Sequence, residues 1–312
     1  LHNITLKIRR PGVIAQLRSA YYGTPGENIP AAGAAAAELS AALERPLRGT
    51  AIRLRAMPFD RADPGPKGLR SVIDLVLSMD PRDLTWTPQP DGTRKATVDA
   101  MAAWYGDNLR PEGTVTHSCT VVADAAGTPA QCVIELSPSA AGGFFVRAAV
   151  RDAGTGRMGT AYTFAPVPEF NRNGYVTMSM PVLRSDSEAG VMSADPEFTP
   201  GQEVAYDMMA YSVRLDKKTL DPKLTLRISM ANATTFEPVF RGNAELQNAK
   251  QAGSGVPLKG RFRLPSDLPP GDYVVEFRVA DTLARPEKKN LFLSNSRVAG
   301  FHVVAPNHLS RN

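Results

Sequence analysis

The segment Gly154-Thr-Gly-Arg-Met-Gly159 has the Gly-x-Gly-x-x-Gly spacing that lets a backbone approach a dinucleotide pyrophosphate. That chemistry needs a helix directly afterwards, because the pyrophosphate sits on a helix N-terminus. The next residues, Thr160-Ala-Tyr-Thr-Phe-Ala-Pro166, have a strand pattern, so the segment reads as a glycine-rich β-turn. Asp80 and Asp83 could suggest calcium, but Met79-Asp-Pro-Arg-Asp-Leu84 lacks an EF-hand loop and carries an arginine in its middle. It reads as a turn. His2, His117, His302 and His308 lack the spacing of helix ligands, and none adjoins a cysteine in a zinc pattern. Gly253-Ser-Gly255 has no strand-to-helix context, and no Gly-x-Ser-x-Gly elbow occurs. Trp86, Trp104-Tyr105 and Tyr21-Tyr22 could stack on sugars, although a tryptophan near a turn or strand end more often serves core or rim. No residue is therefore expected to serve catalysis, a cofactor or a metal, and the protein is expected not to be an enzyme.

Cys119 and Cys132 are the two cysteines. Strand-like residues 116–122 and 131–136 flank a turn-like stretch, 123–129. A hairpin folded there would set the two cysteines directly opposite each other, at about 4.5 Å between Cα atoms in a non-hydrogen-bonded pair. The alternative is two buried thiols. A disulfide would imply an oxidising compartment.

The elements that would position these groups are mostly strands. Residues 1–8 and 13–22 read as two strands around Arg10-Pro11-Gly12. Residues 31–46 read as a helix, with Leu39, Leu43 and Leu47 on one stripe and Pro46 ending it. Seven short strands come next, at 51–57, 71–79, 95–105, 115–122, 131–136, 144–151 and 160–167. Turn signals such as Pro90-Asp-Gly92 and Pro111-Glu-Gly113 separate them, which is the punctuation of an immunoglobulin-like sandwich. A second set lies at 175–183, 203–213, 224–230, 237–240, 258–264, 273–280 and 297–304, with loops at 243–256 and 284–296. Residues 271–281 echo residues 142–152 at an offset of 129, each running from glycine through an aromatic to aspartate. Gly271-Asp-Tyr273 resembles a tyrosine corner, in which the Tyr273 hydroxyl bonds back to the preceding loop. Phe144, at the matching place, has no hydroxyl.

Hydrophobic residues make up 43% and charged residues 21% of 312, an ordinary globular balance with room for two domains. No apolar run of transmembrane length is present. The net charge of +5 is concentrated in residues 1–70, which hold eleven bases against five acids. The bases are spread through strands rather than clustered with aromatics, which favours a solvated or partner-facing surface over nucleic-acid binding. The sequence opens at Leu1 without a visible leader, as expected of a mature chain or a piece of a longer one.

Residues 1–23, with Leu6-Lys-Ile-Arg-Arg-Pro-Gly12 and Arg18-Ser-Ala-Tyr-Tyr-Gly23, resemble the segment closing the von Willebrand factor A domain in the acidobacterial von Willebrand factor A-related family. Residues 73–86, Val150-Arg-Asp-Ala-Gly-Thr-Gly-Arg-Met-Gly159, Phe198-Thr-Pro-Gly201 and residues 268–281 resemble the region following that domain. The resemblance implies a secreted, β-rich protein rather than an activity. The metal-binding Asp-x-Ser-x-Ser loop of such A domains is not supplied here; Ser185-Asp-Ser187 has the residue types in the wrong order.

The expected division is a ribbon at 1–24 resembling the end of an A domain, a linker with a helix at 25–48, immunoglobulin-like sandwiches at 49–168 and 169–305, and a tail at 306–312. Residues 1–47 are expected to dock outside both sandwich cores, with Lys7, Arg9, Arg10, Arg18, Tyr21 and Tyr22 facing a partner. The expected function is a non-catalytic, extracytoplasmic structural or adhesive module that binds or braces a protein, as an accessory subunit of a larger assembly. It needs no cofactor, nucleic acid or membrane span. The alternative is a carbohydrate or cell-wall binding module.

Overall fold

Side chains alternate across a strand, so a strand with one apolar face must lay that face on another sheet. The computed structural model of the chain, which describes residues 2–3, 20–21, 35–45, 48–107, 109–123, 130–171, 175–185, 192–284 and 294–305, is built almost wholly on this rule. In chain order the elements are β1 (His2–Asn3), β2 (Ala20–Tyr21), α1 (Ala35–Glu44), β3 (Leu54–Gly65), β4 (Gly68–Met79), β5 (Thr87–Pro88), β6 (Arg94–Tyr105), β7 (Pro111–Ala123), β8 (Ala130–Leu136), β9 (Gly142–Asp152) and β10 (Met158–Val167). The second half of the chain adds β11 (Thr177–Met178), β12 (Val182–Arg184), β13 (Glu197–Phe198), β14 (Glu203–Tyr211), β15 (Leu224–Asn232), β16 (Pro238–Arg241), β17 (Glu245–Gln247), β18 (Val256–Arg263), β19 (Gly271–Asp281) and β20 (Ser294–Val303).

In the first unit, β3-β4-β8 forms one sheet and β7-β6-β9-β10, with β5 beside the start of β6, forms the other. Ile73, Leu75, Leu77 and Ile134 from the first sheet meet Val98, Ala100, Val146 and Ala148 from the second in one core. The second unit repeats the order: β11 and β12, then β14, then β18, facing β13-β20-β19-β15 with β16 and β17 beyond. Its core runs from Val176 to Val303. Constant-type immunoglobulin domains set the fourth strand beside the fifth. Here the fourth strand, β7 or β16–β17, pairs with the third instead.

The sequence echo is a repeat in structure. β9 and β19 have the same length, and Asp152 opposite Val98 occupies the place of Asp281 opposite Leu224. Both aspartates are buried, and both accept backbone N–H groups from the loop entering β6 or β15. Thr85 N–H donates to Asp152 at 2.6 Å and Arg214 N–H to Asp281 at 2.8 Å. Burial pushes the Asp152 carboxyl up, but the donors on Thr85 and Thr155 outweigh it and hold it below the usual range.

Three expectations need correction. Cys119 and Cys132 are disulfide-bonded with Cα atoms 5.8 Å apart, but not across a hairpin. Cys119 lies opposite Val98 of β6 and Cys132 opposite Leu77 of β4, so the bond ties the two sheets at their open edge. The chain changes sheet between β7 and β8. The described part of the helix is Ala35–Glu44, and it lies against the first unit, outside the sandwich core, rather than docking beyond it. Leu39, Ala42 and Leu43 pack on Met101, Ala103 and Ala149, on the outer face of β6 and β9. Leu39 and Leu43 are almost wholly buried, each contributing roughly 1.5–3 kcal/mol, and a ten-residue helix has little stability in water without such packing. Finally, the expected loop 243–256 contains β17, which pairs with β15.

The Tyr273 hydroxyl donates to the Pro269 carbonyl at 2.8 Å, while Phe144 lies in the core. Tyr273→Phe is expected to cost on the order of 1 kcal/mol, read as a lowered urea midpoint. An unchanged midpoint would show that the hydroxyl adds nothing to stability. Reducing the disulfide is expected to cost about 3 kcal/mol through the loop it closes.

Candidate functional site: the clasp between the two units

β3 of the first unit meets β11, β14 and β20 of the second through a strip of buried polar contacts. Asp60 points out of β3 and Arg297 out of β20. Their side chains are 4% and 12% exposed, and Nη2 of Arg297 donates to Oδ2 of Asp60 at 2.5 Å. The same guanidinium donates through Nε to the Met178 carbonyl at 2.9 Å and through Nη1 to the Pro166 carbonyl at 3.5 Å. A planar fork with five donors suits three acceptors on different segments, which an ammonium could not reach in one plane. The Asp60 carbonyl also accepts the Met180 N–H at 3.1 Å.

Tyr211, at the end of β14, crosses between the units. It is 2% exposed and lies in the first unit's core, with its ring edge-on to Phe170 at 4.9 Å. Its hydroxyl accepts the Ala62 N–H at 3.1 Å. Asn171 imitates a backbone partner for Leu69: Oδ1 accepts the Leu69 N–H at 2.7 Å and Nδ2 donates to its carbonyl at 2.6 Å. This pins the connecting segment to the β3–β4 turn. An outer strip joins Arg55 of β3 to Asp195, then Asp195 to His302 Nε2 at 2.8 Å, then His302 to Asp272.

A second clamp holds α1. Arg151 of β9 donates to Glu38 in the first turn at 2.7 Å. Arg147, on the same face of β9, donates to the Leu43 carbonyl at 2.9 Å, and the Tyr162 hydroxyl donates to the Arg45 carbonyl at 3.1 Å. The last turn of α1 has no basic residue of its own, so Arg147 supplies the positive charge that a helix C-terminus favours.

The residues considered for chemistry are engaged structurally. Asp80 caps the short 3-10 turn Pro81–Asp83, and both Asp80 and Asp83 pair with Arg53. Hydrogen bonds from Arg82 and Arg53 respectively hold the two carboxyls below their usual range. Gly156 takes a left-handed turn conformation at φ 72°, and a Cβ on Gly159 would lie 2.2 Å from the Ile52 carbonyl oxygen. The two glycines thus serve a turn and a close strand approach. Trp104 is a core residue, and the Trp86 indole N–H donates to the Pro81 carbonyl at 2.7 Å. Tyr21 forms the β1–β2 pairing through its backbone, opposite His2. Lys7, Arg9, Arg10, Arg18, Tyr22 and the side chain of Tyr21 lie outside the described residues. Among the described residues no cluster of three metal-ligating side chains occurs. The clasp escapes a reading of the sequence because Asp60 and Arg297 are 237 positions apart.

Burial raises the Asp60 carboxyl from 3.8 to about 6, outweighing the pull of Arg297. The folded chain therefore binds this proton more tightly than the unfolded chain. The stabilising contribution is full below pH 3.8 and is lost as pH rises through about 6, amounting to about 3 kcal/mol. Asp60→Asn is expected to flatten the stability profile between pH 4 and 7; the same slope in both proteins would refute the assignment. At pH 7, Arg297→Met is expected to cost about 3 kcal/mol by stranding a buried carboxylate, and adding Asp60→Asn to recover part of that loss.

No family model matches the chain, and no curated protein matches it. Two solved structures are similar at 12% identity and a TM-score of 0.22 each. One is a protein from Corynebacterium diphtheriae named as membrane anchored, matched over 75% of this chain and 56% of that one. The other is trypsin-activated alpha-2-macroglobulin from Escherichia coli, matched over 81% of this chain and 18% of that one. The chain thus spans about half the length of the first and under a fifth of the second.

Proposed function

We propose that this chain is a non-catalytic, extracytoplasmic brace, an accessory part of a larger assembly that binds a protein partner and holds it at a set angle. The clasp is the observation that carries this reading. Domains in one chain usually meet through modest polar contacts and move against each other. Here a tyrosine of one unit is built into the core of the other, beside an ion pair buried from solvent. The disulfide supports an oxidising location, at the cell surface, in the periplasm or in the medium. No helix among the described residues is long and apolar enough to cross a membrane. The resemblance to the region after a von Willebrand factor A domain points the same way. Lys7, Arg9, Arg10, Arg18, Tyr21 and Tyr22, in the basic segment that resembles the close of such a domain, are the surface we assign to the partner. Both tryptophans are committed to internal contacts, which weighs against the alternative of a carbohydrate module.

Native pull-down compares the full chain with a chain starting at Ala35, which keeps α1 and both units. The full chain is expected to retain a stoichiometric protein partner and the shortened chain to lose it. Retention on peptidoglycan with no protein partner would overturn the proposal in favour of a cell-wall module.

A further inference from the structure

Among the described residues one six-residue turn occurs three times, at 152–157, 216–221 and 232–237. In each, the first N–H bonds the sixth carbonyl, as in Asp152 to Arg157, Asp216 to Asp221 and Asn232 to Glu237. In each, the fifth N–H bonds the first carbonyl, and a threonine N–H bonds the first side chain. The fifth residue is left-handed, with φ of 72°, 57° and 59°. Glycine suits that position, and Gly156 fills it in the first copy. Leu220 and Phe236 fill it in the others, where a bulky side chain is strained. Phe236 is also 77% exposed, so no packing within the chain repays the strain.

Phe236 lies in the turn of the β15–β16 hairpin, beyond the Ala231–Pro238 pair that closes one end of a groove of about 270 Å³ on the outer face of β16-β15-β19-β20. Ala231, Pro238, Phe240, Val274 and Val298 form its apolar part. Glu276 in the groove is already paired with Arg278. Arg227 and Arg241, also lining it, have no ion-pair partner among the described residues. The first unit shows what the corresponding face can carry. There α1 lies across β6 and β9, with Glu38 on an arginine of the sheet. By register, Met101, Ala103 and Ala149 under that helix become Arg227, Ser229 and Arg278 in the second unit. The second face is therefore polar at its centre and apolar toward the Phe236 end.

We propose that this end of the outer face is a docking surface for an acidic, amphipathic segment of a partner protein. Phe236 and the groove take its apolar side, and Arg227 and Arg241 take its carboxylates. This rests on the reading of the chain as a protein-binding module, and it uses residues other than 1–34.

A random dodecapeptide display library selected against the full chain tests it, with enriched peptides resynthesised and titrated. Enriched sequences should combine Asp or Glu with large apolar residues. Phe236→Gly should weaken their binding by about tenfold or more while raising the thermal midpoint by about 2–4 °C, because a strained residue is replaced by one that fits. Arg227→Glu with Arg241→Glu should weaken binding further at low salt. Leu220→Gly, at the same strained position at the other end of β15, should raise the midpoint and leave binding unchanged. No enrichment, enriched peptides without acids, or equal binding to Phe236→Gly would overturn the proposal. So would sedimentation with phosphatidylglycerol–phosphatidylethanolamine vesicles that depends on Phe236 without any peptide binding, which would assign the surface to lipid. Any of these failures would leave partner capture through residues 1–34 intact.

Discussion

A guanidinium taken out of water needs acceptors in its own plane, and a carboxylate beside it needs a counter-charge; neither can be buried alone without a cost of several kcal/mol. Arg297 meets that condition only where three segments converge: Asp60 on β3, the Pro166 carbonyl on β10 and the Met178 carbonyl on β11. A rotation that separates the units strips Asp60 and the Pro166 carbonyl from the guanidinium together, and leaves it only the Met178 carbonyl of its own unit. It also withdraws Tyr211 from the core of the first unit and exposes the Ala62 N–H that it satisfies. The polar contacts set the angle, and the aromatic packing of Tyr211 on Phe170 makes that angle dry.

The two units share one strand order and one device for fixing their loops, a buried aspartate at the end of β9 or β19 holding the chain that enters β6 or β15. They differ in what their outer faces offer. In the first unit apolar residues on both sides of β6 and β9 bury α1 outside as well as the core inside. In the second, charged residues take the place of that apolar pad. The outer face of β3, β4 and β8 is different again, a network in which Arg61 and Arg70 share Asp63 and Glu135 across three strands. Such an exposed lattice of charges keeps water on that face and contributes little to stability pair by pair.

Strand positions are legible in the sequence because they rest on local alternation. β6, β9, β18 and β19 lie within a few residues of where the pattern puts them. The helix is legible from Leu39 and Leu43, yet its seat is not. A signal for the seat exists in the uninterrupted apolar runs Ala100-Met-Ala-Ala-Trp104 and Ala148-Ala-Val150, which mark strands covered on both faces. The disulfide is legible from two cysteines in adjacent strands, but a hairpin and a sheet-to-sheet crossing look alike in sequence, so its geometry is not. The threonine-bearing turn shared by 152–157, 216–221 and 232–237 is visible in the sequence as an Asp or Asn three residues before Thr. Its left-handed fifth position carries no such mark when the residue is Leu or Phe. Asp60 and Arg297 have no local signature, since a buried ion pair is a product of tertiary packing alone.

The clasp holds the two units at one angle. Nitroxide labels at Glu112→Cys and Leu246→Cys, exposed positions on the first and second units, report that angle as an interspin distance. A single narrow distance distribution by electron–electron double resonance is expected, broadened when Arg297→Met is added. A distribution already broad with Arg297 in place would contradict it.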